Sequence, residues 1–230
     1  MVDMEQEEIG AVVVAAGKSQ RMAGTDKIFA PLAGQPVFLR VLQPFIDCQN
    51  IDRIVVVLNG RNYDEGKELI AAQNWDKEVS VCIGGRRRQD SVVAGLKLLG
   101  DCDLVIIQDG ARPFVTIGLI EQGLEAVKET GAAVAAVPVT DTIKIADKDL
   151  VARQTLHRDN LWDCQTPQVF QYDLLVKAYR EATAEVTDDA QIVELSGGKV
   201  KLYMGSYDNI KITTPADLAI AEVLWKRRKQ

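Results

Sequence analysis

Charged side chains in this 230-residue sequence gather where apolar runs stop. Ile9 to Ala16 is apolar apart from Gly10, and the small residues Ala15, Ala16 and Gly17 lead into a loop carrying Arg21 and Lys27. Val79 to Ile83 gives way to Gly84-Gly85 and three arginines, Arg86, Arg87 and Arg88. Leu104 to Ile107 runs into Gln108 and Asp109, with Arg112-Pro113 just beyond. Amide groups in a turn of small residues form an anion cradle, and glycine widens the backbone angles open to it. Arginine grips a phosphate with two donors. The three consecutive arginines suit a phosphate patch, with at least one of them left as a solvated side chain. Asp109 suits a Mg²⁺ ion shared with nucleotide phosphates, or an ordinary strand-end turn. Arg158 and Lys211 either neutralise a phosphate or face solvent, and Asp208 could accept hydrogen bonds from a polyol. Cations, amides and a carboxylate favour phosphoryl or nucleotidyl transfer, where alignment and charge neutralisation do the work.

Other chemistries fit less well. The single histidine, His157, stands beside Arg158 without an evident orienting partner, and no Ser/His/Asp or Cys/His arrangement is visible. The four cysteines make no C-x-x-C pair, which argues against a zinc site or a disulfide framework. Gly17-Lys18-Ser19 resembles the end of a P-loop, but Val12 stands where that motif needs glycine. Ser19 and Met22 break the dinucleotide fingerprint, which disfavours a dehydrogenase. A net charge of -6 argues against a general nucleic-acid binder. No apolar run approaches the ~20 residues of a membrane span, and the acidic start lacks a secretory pattern, so a cytoplasmic protein is expected.

These groups need a scaffold. Val12 to Val14 favour a strand, and a run apolar on both sides reads as a buried parallel one. Further strands are predicted at Ile54–Leu58, Val79–Ile83, Leu104–Ile107 and Ala132–Val137. Helices alternate with them at Phe38–Ile46, Tyr63–Ala72, through Leu99 with Asp90 or Ser91 at its start or in its first turn, and at Ile117–Thr130. Pro44 should end or kink the first helix early. Such alternation implies parallel neighbours, helices on both faces and ligands beyond the strands' carboxyl ends. The rhythm stops at residue 138. Residues 138–166 hold short alternating pieces around Ile143–Ile145 and Val151–Thr155, a hairpin arm of the kind that covers a site or joins a partner chain. Helices at Tyr172–Ala184 and Ala190–Leu195, a strand at Val200–Met204 and an extended segment at Asn209–Thr213 follow. Pro215 opens the last helix, with Thr214 as its N-cap. Residues 1–230 are expected to form one domain, with 138–166 as an arm within it.

An ordered set of segments resembles one family over nearly the whole chain. They are AVVVAAGKSQRM (11–22) with Lys27, GGRRRQDSVVAGL (84–96), DGARP (109–113), PVTDTIK (138–144), LWDCQTPQVF (161–170), TDDA (187–190) and DNIKITTPADLAIAE (208–222). The resemblance is to the 2-C-methyl-D-erythritol 4-phosphate cytidylyltransferases of the non-mevalonate isoprenoid pathway. It implies a three-layer, Rossmann-like nucleotide-diphospho-sugar transferase fold, mostly parallel, with a β-hairpin arm. It implies a homodimer whose exchanged arms complete the active sites, CTP as substrate, and Mg²⁺ or another divalent cation. Carried over, Ala15, Ala16 and Gly17 wrap the nucleotide, and Gly85 and Ser91 serve cytosine and ribose. Arg21 and Lys27 bind the triphosphate, Asp109 the metal, and Lys211 the α-phosphate. Asp208 and Arg112 serve the methylerythritol side, Thr166 and Thr187 complete the polar lining, and Thr142 and Arg158 reach the neighbouring subunit's site. A ribitol-5-phosphate cytidylyltransferase is the alternative, distinguished by the lining from the arm and residues 187–211. A sugar-nucleotide pyrophosphorylase would differ in base preference. A non-catalytic nucleotide binder sits poorly with Arg21, Lys27, Asp109 and Lys211 all present.

Overall fold

The computed structural model describes residues 7–17, 26–183 and 185–228. The chain runs through β1 (Ile9–Ala15), β2 (Pro31–Leu32), β3 (Gln35–Pro36), α1 (Val37–Asp47), β4 (Arg53–Leu58), α2 (Tyr63–Ala71), β5 (Val79–Ile83) and α3 (Arg88–Leu99). It continues through β6 (Leu104–Asp109), α4 (Ile117–Thr130), β7 (Ala132–Pro138), β8 (Lys144–Ala146) and β9 (Ala152–Thr155). After a 3-10 turn at Arg158–Asn160 come β10 (Trp162–Gln171), α5 (Tyr172–Glu181), α6 (Asp189–Leu195), β11 (Lys201–Met204) and α7 (Pro215–Arg228). Seven of these strands form one sheet in the order β11-β7-β10-β6-β1-β4-β5. All pairings are parallel except those of β10, which runs antiparallel to both β6 and β7.

Alternating residues of β1 point to opposite faces, as strand geometry requires. Ala11, Val13 and Ala15 pack with Phe38, Leu42 and Phe45 of α1 and with Ile120 of α4. Val12 packs on the other face with Val92 and Leu96 of α3, Leu175 of α5 and Ile192 of α6. The result is three layers, helix, sheet and helix, as the alternation and the resemblance implied. Among the described residues no helix is long and apolar enough to cross a membrane.

Pro44 does not end α1, which continues to Asp47. An interior proline costs a helix about 3 kcal/mol. Phe38, Val41, Leu42 and Phe45 are all fully buried on that helix, and each large apolar side chain contributes about 1.5–3 kcal/mol. The burial outweighs the missing hydrogen bond. α5 stops at Glu181, short of the expected Ala184, with Ala182 already extended. Residues 209–213 form no ladder and are tied in by a hydrogen bond from Ile212 N to Ala111 O at 2.8 Å.

The arm contains the expected hairpin, with Lys144 paired to Thr155 and Ile145 to Gln154. From Trp162 the chain is already in the main sheet, and no strand was expected there. β10 is rich in polar residues, yet Gln165, Thr166 and Gln168 are buried. Each of them has an internal partner: Gln165 Nε2 donates to Ser206 O, Thr166 Oγ1 accepts from Asp109 N, and Gln168 Nε2 donates to Asp188. The last helix, α7, closes over the β2–β3 ribbon. Thr214 Oγ1 accepts from Asp217 N at 3.3 Å, the expected N-cap contact. Arg40 lies 4.7 Å over the Trp225 ring, and Ala33 N donates to Glu222 at 2.8 Å. These contacts fix the segment that carries Lys211.

Candidate active site

The carboxyl ends of β1, β5 and β6 meet around one cleft. Ala15, Ala16 and Gly17 form one wall, Gly85 to Arg88 and Ser91 a second, and Asp109, Gly110, Lys27 and Lys211 close it. Two glycines set the width. A Cβ on Gly84 would lie 2.5 Å from Ala16 Cβ, and one on Gly110 would lie 2.8 Å from Ala15 Cβ. Gly17 differs from expectation. It takes no left-handed φ, and a Cβ there meets no described atom within 4 Å. The close approaches at this wall are made at Gly84 and Gly110. Ser91, almost fully buried, ties the second wall together: its Oγ accepts from Gly85 N at 3.2 Å and donates to Arg87 O at 3.1 Å.

At the floor, Asp109 is buried among three cations. Lys211 Nζ lies 2.6 Å from its Oδ2, Arg112 Nε 3.8 Å from the same oxygen, and Arg88 Nη2 3.5 Å from Oδ1. Burial pushes the Asp109 carboxyl up, but Arg88, Lys211 and Arg112 outweigh it and hold its pKa below the ordinary carboxylate range. Arg88 turns its other edge to Asp189, 2.6 Å away and wholly buried. Burial works against the Arg88 charge, yet Asp189 and Asp109 more than offset it and raise its pKa. The Tyr179 hydroxyl donates to Asp189, and burial followed by Asp189 pushes that hydroxyl well above its usual value.

Lys27, Ala15, Ala16, Gly17, Gly85, Ser91, Asp109 and Lys211, all singled out in the sequence, come together here. Arg21 lies outside the described residues. Arg112 is buried beside the cleft, where Nη1 donates to Asn209 O at 2.7 Å. Thr166 is buried as well, and its hydroxyl supports the Asp109 backbone at 3.1 Å. Thr142, Arg158, Thr187 and Asp208 are exposed and do not line the cleft. Arg158 donates to Thr140 O at 2.8 Å within the arm, and Asp208 accepts from Arg227 at 2.8 Å. His157 lies on the surface, with Asp159 3.8 Å from its ring. Of the three arginines, Arg87 is bound to Asp90 at 2.6 Å, and Arg88, half-buried, is the one paired with Asp189 and Asp109.

Sequence reasoning did not assign Asp189 or Tyr179, nor single out Arg88. The available signal was the second aspartate of TDDA. Asp188 caps α6 by accepting from Gln191 N at 3.0 Å, which leaves Asp189 to point inward.

The donor set bears on the metal. Among the described residues no three His, Cys, Asp or Glu side chains converge, and Asp109 is the carboxylate that lines the cleft. One hard oxygen donor beside cations fits Mg²⁺, which keeps waters and takes other ligands from phosphates. It does not fit a metal that needs a full set of protein ligands.

A small-residue, cation-rich cleft on the carboxyl rim of such a sheet is built for nucleotide phosphates, as an α/β nucleotidyltransferase requires. Residues 9–227 match the family model described as 2-C-methyl-D-erythritol 4-phosphate cytidylyltransferase. The chain is 49% identical over 221 residues to the protein of that name from Dehalococcoides mccartyi, covering 96% of this chain and 97% of the relative. It is 43% identical over 228 residues to the one from Alkaliphilus oremlandii, covering 95% of each. The solved 4-diphosphocytidyl-2C-methyl-D-erythritol synthase from Anaerococcus prevotii superposes with a TM-score of 0.86 at 30% identity, covering 97% of this chain and all of that one. The chain belongs to the 2-C-methyl-D-erythritol 4-phosphate cytidylyltransferase family. It is a CTP-dependent nucleotidyltransferase.

Proposed function

We propose that this enzyme joins CTP and 2-C-methyl-D-erythritol 4-phosphate by in-line displacement. An acceptor phosphate oxygen attacks the α-phosphorus, the bond to the β-phosphate oxygen breaks, and pyrophosphate leaves. The attacking oxygen is already anionic, so no strong protein base is needed, which suits a cleft without a placed histidine. The observation that carries this reading is the 2.6 Å pairing of Lys211 with buried Asp109 beneath the glycine-walled cleft.

The roles follow from position. Ala15, Ala16 and Gly17 present backbone to the nucleotide, and Gly85 and Ser91 frame cytosine and ribose. Lys27 and Arg21 hold the triphosphate, and Lys211 exchanges from Asp109 to the α-phosphate. Asp109 would hold Mg²⁺, which when bound neutralises phosphate oxygens. Arg112, Thr166, Thr187 and Asp208 shape the acceptor side, with Asp208 leaving Arg227 to reach a hydroxyl.

The chain acts as one domain and as a homodimer. Its arm carries Ile143, Ile145, Leu150 and Val151 exposed, with Leu150 88% accessible, an apolar strip suited to a second copy. Thr142 and Arg158 on that arm then bind the acceptor phosphate in the partner's site. CTP and a polyol phosphate are soluble metabolites, which supports a cytoplasmic location.

Two variants test the roles. Lys27→Ala should lose turnover with little change in melting, and Arg158→Ala should raise KM for the acceptor more than KM for CTP. Unchanged kinetics in both would overturn these assignments.

A further inference from the structure

We infer that Arg88 is a positioning residue, the fixed partner of Asp109 that keeps this carboxylate aimed when Lys211 leaves it for the nucleotide. The inference rests on the reading of Asp109 as the metal-holding group.

The two oxygens of Asp109 are not equivalent. Oδ2 carries Lys211 at 2.6 Å and Arg112 at 3.8 Å, whereas Oδ1 faces Arg88 at 3.5 Å. Lys211 is the exchangeable partner. Its side chain is 38% exposed, on a loop and a flexible stem. Arg88 is held from behind. Its Nη1 lies 2.6 Å from Asp189 Oδ2, and the Asp189 side chain has no solvent exposure. The other Asp189 oxygen accepts from the Tyr179 hydroxyl of α5. α6, which Asp189 opens, is pinned to β10 because Ala190 N donates to Gln168 at 3.2 Å. Arg88 would leave a buried carboxylate without its cation if it swung to a phosphate, and that penalty keeps it in place.

A planar guanidinium serves two carboxylates on two edges, which a lysine ammonium cannot do in the same geometry. With Lys211 withdrawn, Arg88 still restrains Oδ1, and Oδ2 keeps, of these three cations, only the longer 3.8 Å approach of Arg112. Tyr179 and Asp189, which hold Arg88 from behind and do not line the cleft, thereby set the direction of a group that does. Partners of this kind typically change metal affinity by about 10–100-fold when altered.

The experiment measures Mn²⁺ affinity by electron paramagnetic resonance in the full-length enzyme with a non-hydrolysable CTP analogue. It is run beside the Mg²⁺ dependence of kcat. Arg88→Lys and Asp189→Asn should each weaken Mn²⁺ binding about 10-fold and raise half-saturating Mg²⁺ by a similar factor. KM for the acceptor should stay put. Tyr179→Phe, the mildest change, should shift Mn²⁺ affinity in the same direction by a smaller factor, and it decides the matter with Arg88→Lys if Asp189→Asn does not fold. Mn²⁺ affinity within about twofold of wild type in these variants, with only the melting temperature lowered, overturns the inference and leaves the cluster a purely structural one. Asp109→Asn distinguishes the two layers. If it too leaves Mn²⁺ affinity unchanged, the reading of Asp109 as metal ligand fails and the role of Arg88 falls with it.

Discussion

Replacing Gly84 with alanine tests whether close packing between the β1 and β5 ends sets the cleft. The new Cβ would sit 2.5 Å from Ala16 Cβ, 2.7 Å from Ser91 Oγ and 3.0 Å from Val57 Cγ1. Carbon atoms rest at about 3.5–4.0 Å, so a wall must retreat by about 1 Å. Overpacking of this kind costs about 1–3 kcal/mol. For a chain of this size each kcal/mol lowers Tm by about 2–4 °C. The retreat also moves Ala16 or Ser91, which line the cleft, and a 1 Å misplacement at a reacting site is worth roughly 10²-fold in rate. Calorimetric melting and CTP-dependent initial rates should therefore both fall for Gly84→Ala. Gly17→Ala is the control, since its Cβ meets no described atom within 4 Å and should leave Tm unchanged. Wild-type Tm and kcat/KM in Gly84→Ala would refute the packing argument.

Lys211→Ala should lower turnover about 10²–10³-fold, as for loss of one group that stabilises transition-state charge, and equal kcat would contradict its role. Acid melting tests the Asp109 cluster. Its folded pKa lies below the unfolded value of about 3.9, so its stabilisation is present above that pH and lost as pH falls through the folded value. Wild-type Tm should drop more steeply below about pH 4 than that of Asp109→Asn, and parallel profiles would contradict the assignment. Leu150→Asp combined with Ile145→Asp should shift sedimentation from dimer to monomer, and an unchanged profile would remove the arm from the interface.

The sequence was most legible where one physical effect dominated. The valines of β1 and the apolar runs of β4 and β6 could hardly be anything but buried strands, and the sites at their ends followed from topology. Polar β10 was illegible because what makes Gln165, Thr166 and Gln168 buriable is a set of partners far along the chain. Pro44 did not end its helix for the opposite reason, since a local rule was overridden by tertiary burial. Asp109 and Lys211 could be nominated singly by residue type and resemblance. Their 2.6 Å pairing could not, nor could the link from Arg88 to Asp189, which joins α3 to α6 across the fold. Nothing in GGRRRQDS distinguishes Arg88, the arginine that faces Asp109 and Asp189, from its two neighbours. That distinction comes from which face of the first helical turn looks into the rim.

The most direct test of the central claim is pyrophosphate release from CTP and Mg²⁺ with three acceptors in parallel: 2-C-methyl-D-erythritol 4-phosphate, ribitol 5-phosphate and a sugar 1-phosphate. Release with the first alone is the predicted result. Release with ribitol 5-phosphate alone, or with no acceptor despite CTP binding, would contradict it.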